Sequence, residues 1–160
     1  MKPRWTRSQR FERAQTLTLD GAPSDVFPLL CPVLEYEWLP RWKCRMFYAD
    51  SGVAERDAVF HTRETLLRSA VWTVITYEPD RLIEYLIVIG RDAIIRLSLS
   101  LEAKAEKTLL GWRMRFTLTS APGRAMVGRR FSEAGFQKMM RARTEELNHY
   151  LTTKTMISRR

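Results

Sequence analysis

The rhythm of apolar and polar positions divides the chain into three stretches. Phe11–Leu19 reads as a first strand that stops at Asp20-Gly21, a turn dipeptide. Ala22-Pro23-Ser24-Asp25 follows, then the apolar Val26, Phe27, Leu29 and Leu30. Ser24 or Asp25 can cap a short helix there, with Pro28 tolerated in its first turns. Cys31-Pro32 interrupts, and Val33–Leu39 reads as a second short helix ended by Pro40. From Trp42 to Ser120 the period becomes two. Cys44, Met46 and Tyr48 alternate with Lys43, Arg45 and Phe47, and Ala58, Phe60 and Thr62 alternate with Asp57, Val59 and His61. β-branched and aromatic residues fill Val71–Glu78 as far as Pro79-Asp80, and Leu82–Ile89 runs to Gly90. The cleanest half-buried strands come last. Ile95, Leu97, Leu99 and Leu101 oppose Arg96, Ser98 and Ser100, while Trp112, Met114, Phe116 and Leu118 oppose Arg113, Arg115, Thr117 and Thr119. Turn residues at hairpin spacing predict an antiparallel meander.

After Pro122-Gly123 the steps lengthen to three and four residues. Phe136, Met139, Met140, Arg143, Leu147, Tyr150 and Leu151 share one face of a helix that runs to about Thr152. At ~1.5 Å per residue it spans ~40 Å or more, enough to cross a small sheet. Gly128 and Gly135 weaken its first half, where a bend or close approach is expected. The pattern as a whole predicts one α+β domain. A curved antiparallel sheet of about seven strands is closed by the long C-terminal helix over an apolar cavity, with two short helices after strand one. Residues 1–10 form a basic N-terminal extension, 11–153 the domain and 154–160 a basic C-terminal tail.

Composition narrows the picture. At 160 residues the chain has room for one domain, a full core and a pocket. It is 45% hydrophobic and 28% charged, which excludes disorder. No apolar run reaches the ~20 residues that span a bilayer, and Met1–Arg13 lacks the apolar stretch of a secretion signal. A cytoplasmic protein is the expectation. The net charge of +9 would ordinarily raise nucleic acid or membrane as partners. Residues 1–13 carry a net +4 and residues 124–160 a net +6, however, so the body between them is nearly neutral at −1. Nucleic acid is therefore not an expected partner, and a weak contact of the basic ends with an anionic membrane is left open. Oligomeric state is not specified. Cys31 and Cys44 form no CxxC and have no histidine at ligand spacing, so two reduced thiols are expected, with no metal and no cofactor.

The order of strand, two short helices, six strands and one long helix resembles the helix-grip fold of the START/Bet v 1-like superfamily (SRPBCC, polyketide cyclase/dehydrase-like). The first match is Leu17-Thr18-Leu19-Asp20-Gly21-Ala22-Pro23-Ser24-Asp25-Val26-Phe27-Pro28-Leu29-Leu30; the second runs from Trp72 through Tyr77-Glu78-Pro79-Asp80-Arg81-Leu82-Ile83-Glu84-Tyr85. The stretch from Cys31 to Cys44 looks like a small bacterial branch of that superfamily. The resemblance covers roughly residues 11 to 152. It implies an elongated apolar cavity between sheet and helix, used for lipids, polyketides or other hydrophobic molecules, with no shared catalytic motif.

Candidate cavity residues are the aromatics Tyr36, Trp38, Trp42, Tyr48, Phe60, Trp72, Tyr85, Trp112, Phe116 and Phe136, joined by the adaptable Met114, Met139 and Met140. Each could equally be ordinary core. Arg143, the one charge on the apolar helix face, either snorkels at the rim or meets a ligand carboxylate or carbonyl at the cavity mouth. Glu35 and Glu37 diverge too far on a helix to form a catalytic pair. A structural salt bridge of Glu35 with Arg41 or Arg45 is expected, the alternative being a polar hook inside the cavity. His61 and His149 are expected at the surface. No Ser-His-acid set, GxSxG elbow or phosphate loop is present. Non-catalytic binding or transport of a hydrophobic small molecule or lipid is the first expectation. An aromatase/cyclase-type enzyme using Tyr48, Tyr85, Glu35 or Arg143 is the second, and a membrane-docking or interaction module acting through the basic ends is the third.

Overall fold

The computed structural model describes residues 9–65 and 68–158. The basic extension up to residue 8 and the last two residues of the basic tail lie outside the described residues.

The first strand, β1, is Gln9–Leu19, two residues longer at its start than the alternation predicts. A one-turn helix α1 (Pro23–Val26) follows and runs into a 3-10 turn at Phe27–Leu30. Its N-cap is Ala22, with Pro23 at the first helical position, so neither Ser24 nor Asp25 takes the capping place. Asp25 instead reaches back one turn, its carboxylate accepting from the Ala22 N–H at 3.3 Å. The second short helix, α2, is a single turn at Glu35–Trp38, shorter than the expected Val33–Leu39.

Six strands come next: β2 (Cys44–Tyr48), β3 (Val59–Thr65), β4 (Arg68–Glu78), β5 (Leu82–Ile89), β6 (Ala93–Lys104) and β7 (Lys107–Leu118). The sheet is antiparallel throughout, in the order β1-β7-β6-β5-β4-β3-β2. The meander runs from β2 to β7, and β1 returns to the edge beside β7, from Gln9 opposite Leu118 to Leu19 opposite Thr108. The long pairings obey the period of two. On β6 the buried Ile95, Leu97, Leu99 and Leu101 alternate with exposed Ile94, Arg96 and Ser100, and on β7 Leu110, Trp112, Met114, Phe116 and Leu118 face inward. Each such aliphatic side chain removed from water contributes roughly 1.5–3 kcal/mol, so the inner face of the sheet supplies the main driving force for closure.

The predicted single C-terminal helix is two helices. α3 spans Ala121–Arg130 and α4 spans Glu133–Thr153. At ~1.5 Å per residue α4 is about 30 Å long, shorter than the pattern suggested. The break has a local cause. The Ser132 side chain caps α4 by accepting from the Gly135 N–H at 3.2 Å, while Phe131 leaves helical geometry and buries its ring on Phe116, centroids 4.8 Å apart. Gly135 is required because a Cβ there would stand 2.5 Å from the Arg130 carbonyl oxygen. Gly123 plays the same part at the start of α3, which packs its first turn on the Asp92 carbonyl. At its far end α4 is tied to the tip of β1. The Asn148 side chain accepts from the Asp20 N–H at 2.8 Å and donates to the Thr18 carbonyl at 3.2 Å. No helix among the described residues is long and apolar enough to cross a membrane.

Candidate ligand-binding site

Between the inner face of the sheet and the helices lies a cavity of about 220 Å³. By the ~30 Å³ that each water occupies in the liquid, that is room for about seven waters. One wall is the aliphatic row of β5 and β6, with Ile87, Ile89, Ile95, Leu97 and Leu99. A second is aromatic and comes from the loop before β2 and from β3, β4 and β5: Trp42, Phe60, Trp72 and Tyr85. Trp112 and Met114 of β7 continue the floor. Met126, Val127 and Phe131 of α3 and the helix break, with Met139 and Arg143 of α4, form the roof, and Glu35 of α2 closes the side.

Eight of the residues expected from sequence stand on this wall: Trp42, Phe60, Trp72, Tyr85, Trp112, Met114, Met139 and Arg143. The other six stand off it. Tyr36 is exposed and its hydroxyl brackets the Cys44 backbone, accepting from the N–H at 2.9 Å and donating to the carbonyl at 3.0 Å. Trp38, two residues along the same single turn, points the other way and is buried, donating to the Leu29 carbonyl at 2.8 Å. Tyr48 is exposed beyond a β-bulge that follows Met46 and donates to Asp50 at 3.1 Å. Phe116 is stacked between Phe11 and Phe131. Phe136 and Met140 face the core from α4, whereas Met139 and Arg143, one turn apart on its flank, face the cavity.

Sequence reasoning passed over the aliphatic wall. The β6 row reads from its alternation as inward-facing and β5 only as an apolar strand, and nothing local separates core from cavity wall. Of the two expectations for Glu35, the place inside the cavity matches its position. The expected salt bridge with Arg41 or Arg45 is absent, and the carboxyl lines the cavity instead. Burial pushes its pKa up to about 8, and the charge of Arg143 opposes this only in part. Glu35 in turn adds to the burial that holds the Tyr85 hydroxyl well above its ordinary range. Tyr85 donates to the Leu30 carbonyl at 2.7 Å. Arg143 does not reach freely into the space, for its guanidinium holds Glu146 at 2.5 Å, and Glu146 is 3% exposed. The two histidines are half-buried rather than exposed. His61 sits 5.9 Å from the Phe47 ring, and His149 Nε2 lies 3.3 Å from the Thr155 hydroxyl. Both cysteines are free thiols, Cys31 buried and Cys44 half-buried.

The fold has counterparts in solved structures. The Mll3558 protein from Rhizobium loti superposes with a TM-score of 0.66 at 15% identity, over 89% of this chain and 100% of that one. Norcoclaurine synthase from Thalictrum flavum gives 0.61 at 10% identity, over 91% and 94%. DynU16, a putative protein in the dynemicin biosynthetic locus, gives 0.61 at 12% identity, over 90% of this chain and 48% of that longer one. At these identities the likeness is one of fold. No curated protein sequence matches at a significant level. The seven-stranded sheet, the short helices after β1 and the C-terminal helix are the α+β helix-grip architecture of the Bet v 1-like superfamily. With the family model for polyketide cyclase / dehydrase and lipid transport matching residues 10–152, the chain belongs to that family, whose fold is a ligand-binding one.

Proposed function

We propose that the protein binds or carries a hydrophobic small molecule in the cavity under α3 and α4, without chemical change. The observation that carries this is the wall itself. Aliphatic side chains of β5 and β6 and four aromatic rings enclose space that the core could have filled. Among the described residues no nucleophile is paired with a base on that wall. Protein purified without detergent and examined by native mass spectrometry is expected to carry a small apolar adduct. A thermal-shift screen of apolar molecules is expected to raise Tm, since a ligand bound only by the native state stabilises it. A screen in which no apolar compound moves Tm would sink the reading.

Glu35 favours a second reading, an enzyme of the cyclase kind. A carboxyl held near neutrality suits general acid–base work on a bound chain. Turnover of polyketide-like test substrates that disappears in Glu35→Gln, with binding kept, would support it. Unchanged substrates over long incubation would remove it.

A further inference from the structure

The cavity is uneven in what it asks of an occupant. Trp42, Trp72 and Tyr85 have polar tips, and the protein already satisfies each of them. The indole N–H of Trp42 donates to the Pro32 carbonyl at 2.8 Å, that of Trp72 to the Thr62 hydroxyl at 2.8 Å, and the Tyr85 hydroxyl is on Leu30. What these residues offer the cavity is ring surface. With Phe60 they form one connected cluster. Trp42 meets Trp72 edge-on at 6.2 Å, Phe60 stacks on Trp72 at 5.3 Å, and Tyr85 meets Trp72 at 5.8 Å and Phe60 at 6.0 Å. Ring faces present negative potential.

The charged and polar groups on the wall differ in how far they are already committed. Arg143 is held by Glu146, and releasing it would break an ion pair at a buried carboxylate. The Arg130 guanidinium lies over the Phe131 ring, 5.5 Å from its centroid. The Trp112 indole N–H is buried without an acceptor, but it stands opposite Gln15 in the β1–β7 register, and Gln15 Oε1 is buried without a donor, so the two are complementary in kind. Glu35 is different. It shares the cavity with the ring cluster, and among the described residues no hydrogen bond or ion pair reaches its carboxyl. Glu35 is half-buried, and a carboxyl on the cavity wall that no protein group pairs is placed to take a ligand's donor.

We propose that the occupant is an amine: a small apolar molecule with one protonated nitrogen that lies against the Trp42–Phe60–Trp72–Tyr85 cluster and pairs with the Glu35 carboxylate. This rests on the small-molecule reading above and names its ligand class. Ring faces and a carboxylate both attract a cation. An anionic ligand meets repulsion from the ring faces, and a neutral hydrocarbon leaves Glu35 unpartnered.

Proton linkage follows. The groups around Glu35 are Arg143 with its partner Glu146 on α4, Tyr85 on β5, and Cys44 on β2. Burial pushes the Tyr85 and Cys44 acids up, so both are neutral at pH 7, and the charge of Arg143 opposes the rise at Glu35 only in part. In the empty cavity Glu35 is mostly protonated at pH 7. An ammonium brought against it favours the ionised form, so the Glu35 proton leaves to solvent while the ammonium keeps its own. Amine binding at pH 7 therefore releases close to one proton.

The test is isothermal titration at pH 7 with three probes that share one apolar body: phenylbutylamine, phenylbutanol and phenylbutyrate. Two buffers of different ionisation enthalpy report the protons exchanged. The amine is expected to bind about tenfold tighter than the alcohol or better, with the acid weakest, and only the amine is expected to release a proton. Glu35→Gln is expected to keep the alcohol's affinity while removing the amine's advantage and its proton release. Equal affinity for amine and alcohol, a tighter acid, or amine binding without proton release in the native protein overturns the amine and leaves the small-molecule reading standing. Silence from all three probes overturns both.

Discussion

Two glutamates, one on each face of the sheet, titrate in opposite directions. Glu84 lies on the outer face of β5 and is 7% exposed. Burial alone would raise its pKa, but three donors outweigh that: Arg96 at 2.7 Å, Thr76 at 2.8 Å, and the Ser98 hydroxyl. Together they hold it down at about 2. Glu35 has no donor, so burial prevails and its carboxyl stands at about 8. Strand register makes the difference. Thr76 and Ser98 are the residues paired with Glu84 on its two neighbouring strands, and Arg96 is two residues along from Ser98. The single turn of α2 has no such neighbours to supply donors. Burial raises a carboxyl's pKa, donors and cations beside it lower it, and the balance decides the direction.

That contrast can be broken in four places. The largest effect is expected from Arg143→Met, which removes the Arg143–Glu146 ion pair at a buried carboxylate. A loss of about 3 kcal/mol in urea unfolding is expected, with Glu35 moving above its present value in an NMR titration. A Glu35 pKa that stays put would show that Arg143 does not act on it. Next is Glu84→Gln, with an expected loss of about 2 kcal/mol at pH 7 after allowance for the half-exposed Arg96. The sign follows from the depressed pKa. The stabilisation is present above the ordinary carboxylate range and is lost as pH falls toward about 2. The gap between variant and parent is therefore expected to close between pH 4.5 and pH 2. A gap that persists at pH 2 would place the effect in packing instead.

Glu35→Gln is expected to do the reverse, gaining about 1–2 kcal/mol at pH 8 and little at pH 4.5. With a raised pKa, native Glu35 keeps a proton that the unfolded chain releases, so the parent loses stability as pH climbs from 4.5 to about 8. A variant no more stable at pH 8 would show that the carboxyl is well solvated. The smallest effect is expected from Tyr85→Phe, about 1 kcal/mol, because it unpairs the Leu30 carbonyl beside the cavity. A melting temperature identical to the parent's would mean that water replaces the hydroxyl.

Much of the fold was legible in the chain because it is written in local periods. Leu82–Ile89 was read to the residue, and the inward rows of β6 and β7 follow from alternation alone. The break between α3 and α4 was only half legible. Gly128 and Gly135 marked a weak stretch, but the stop comes from Ser132 as a cap and from Phe131 turning to Phe116, a residue fifteen positions back on another element. The cavity wall was legible only where its residues are aromatic. Ile87, Ile95, Leu97 and Leu99 look the same in sequence whether they touch other side chains or empty space.

By itself the sequence determined the elements, the inner face of each long strand and the membership of the helix-grip architecture. The elements and faces depend on spacing within a single segment, where a side chain's direction follows from the period, and the architecture on the resemblance carried by the order of elements and the matched stretches. Tertiary structure alone decided which inner-face residues line space, which way the one-turn α2 aims Glu35, and that Arg143 belongs to Glu146. Those outcomes turn on how far the helices stand off the sheet and on which donors a neighbouring strand brings within reach. Both are set by contacts between residues far apart in the chain, and neither leaves a trace in the local pattern.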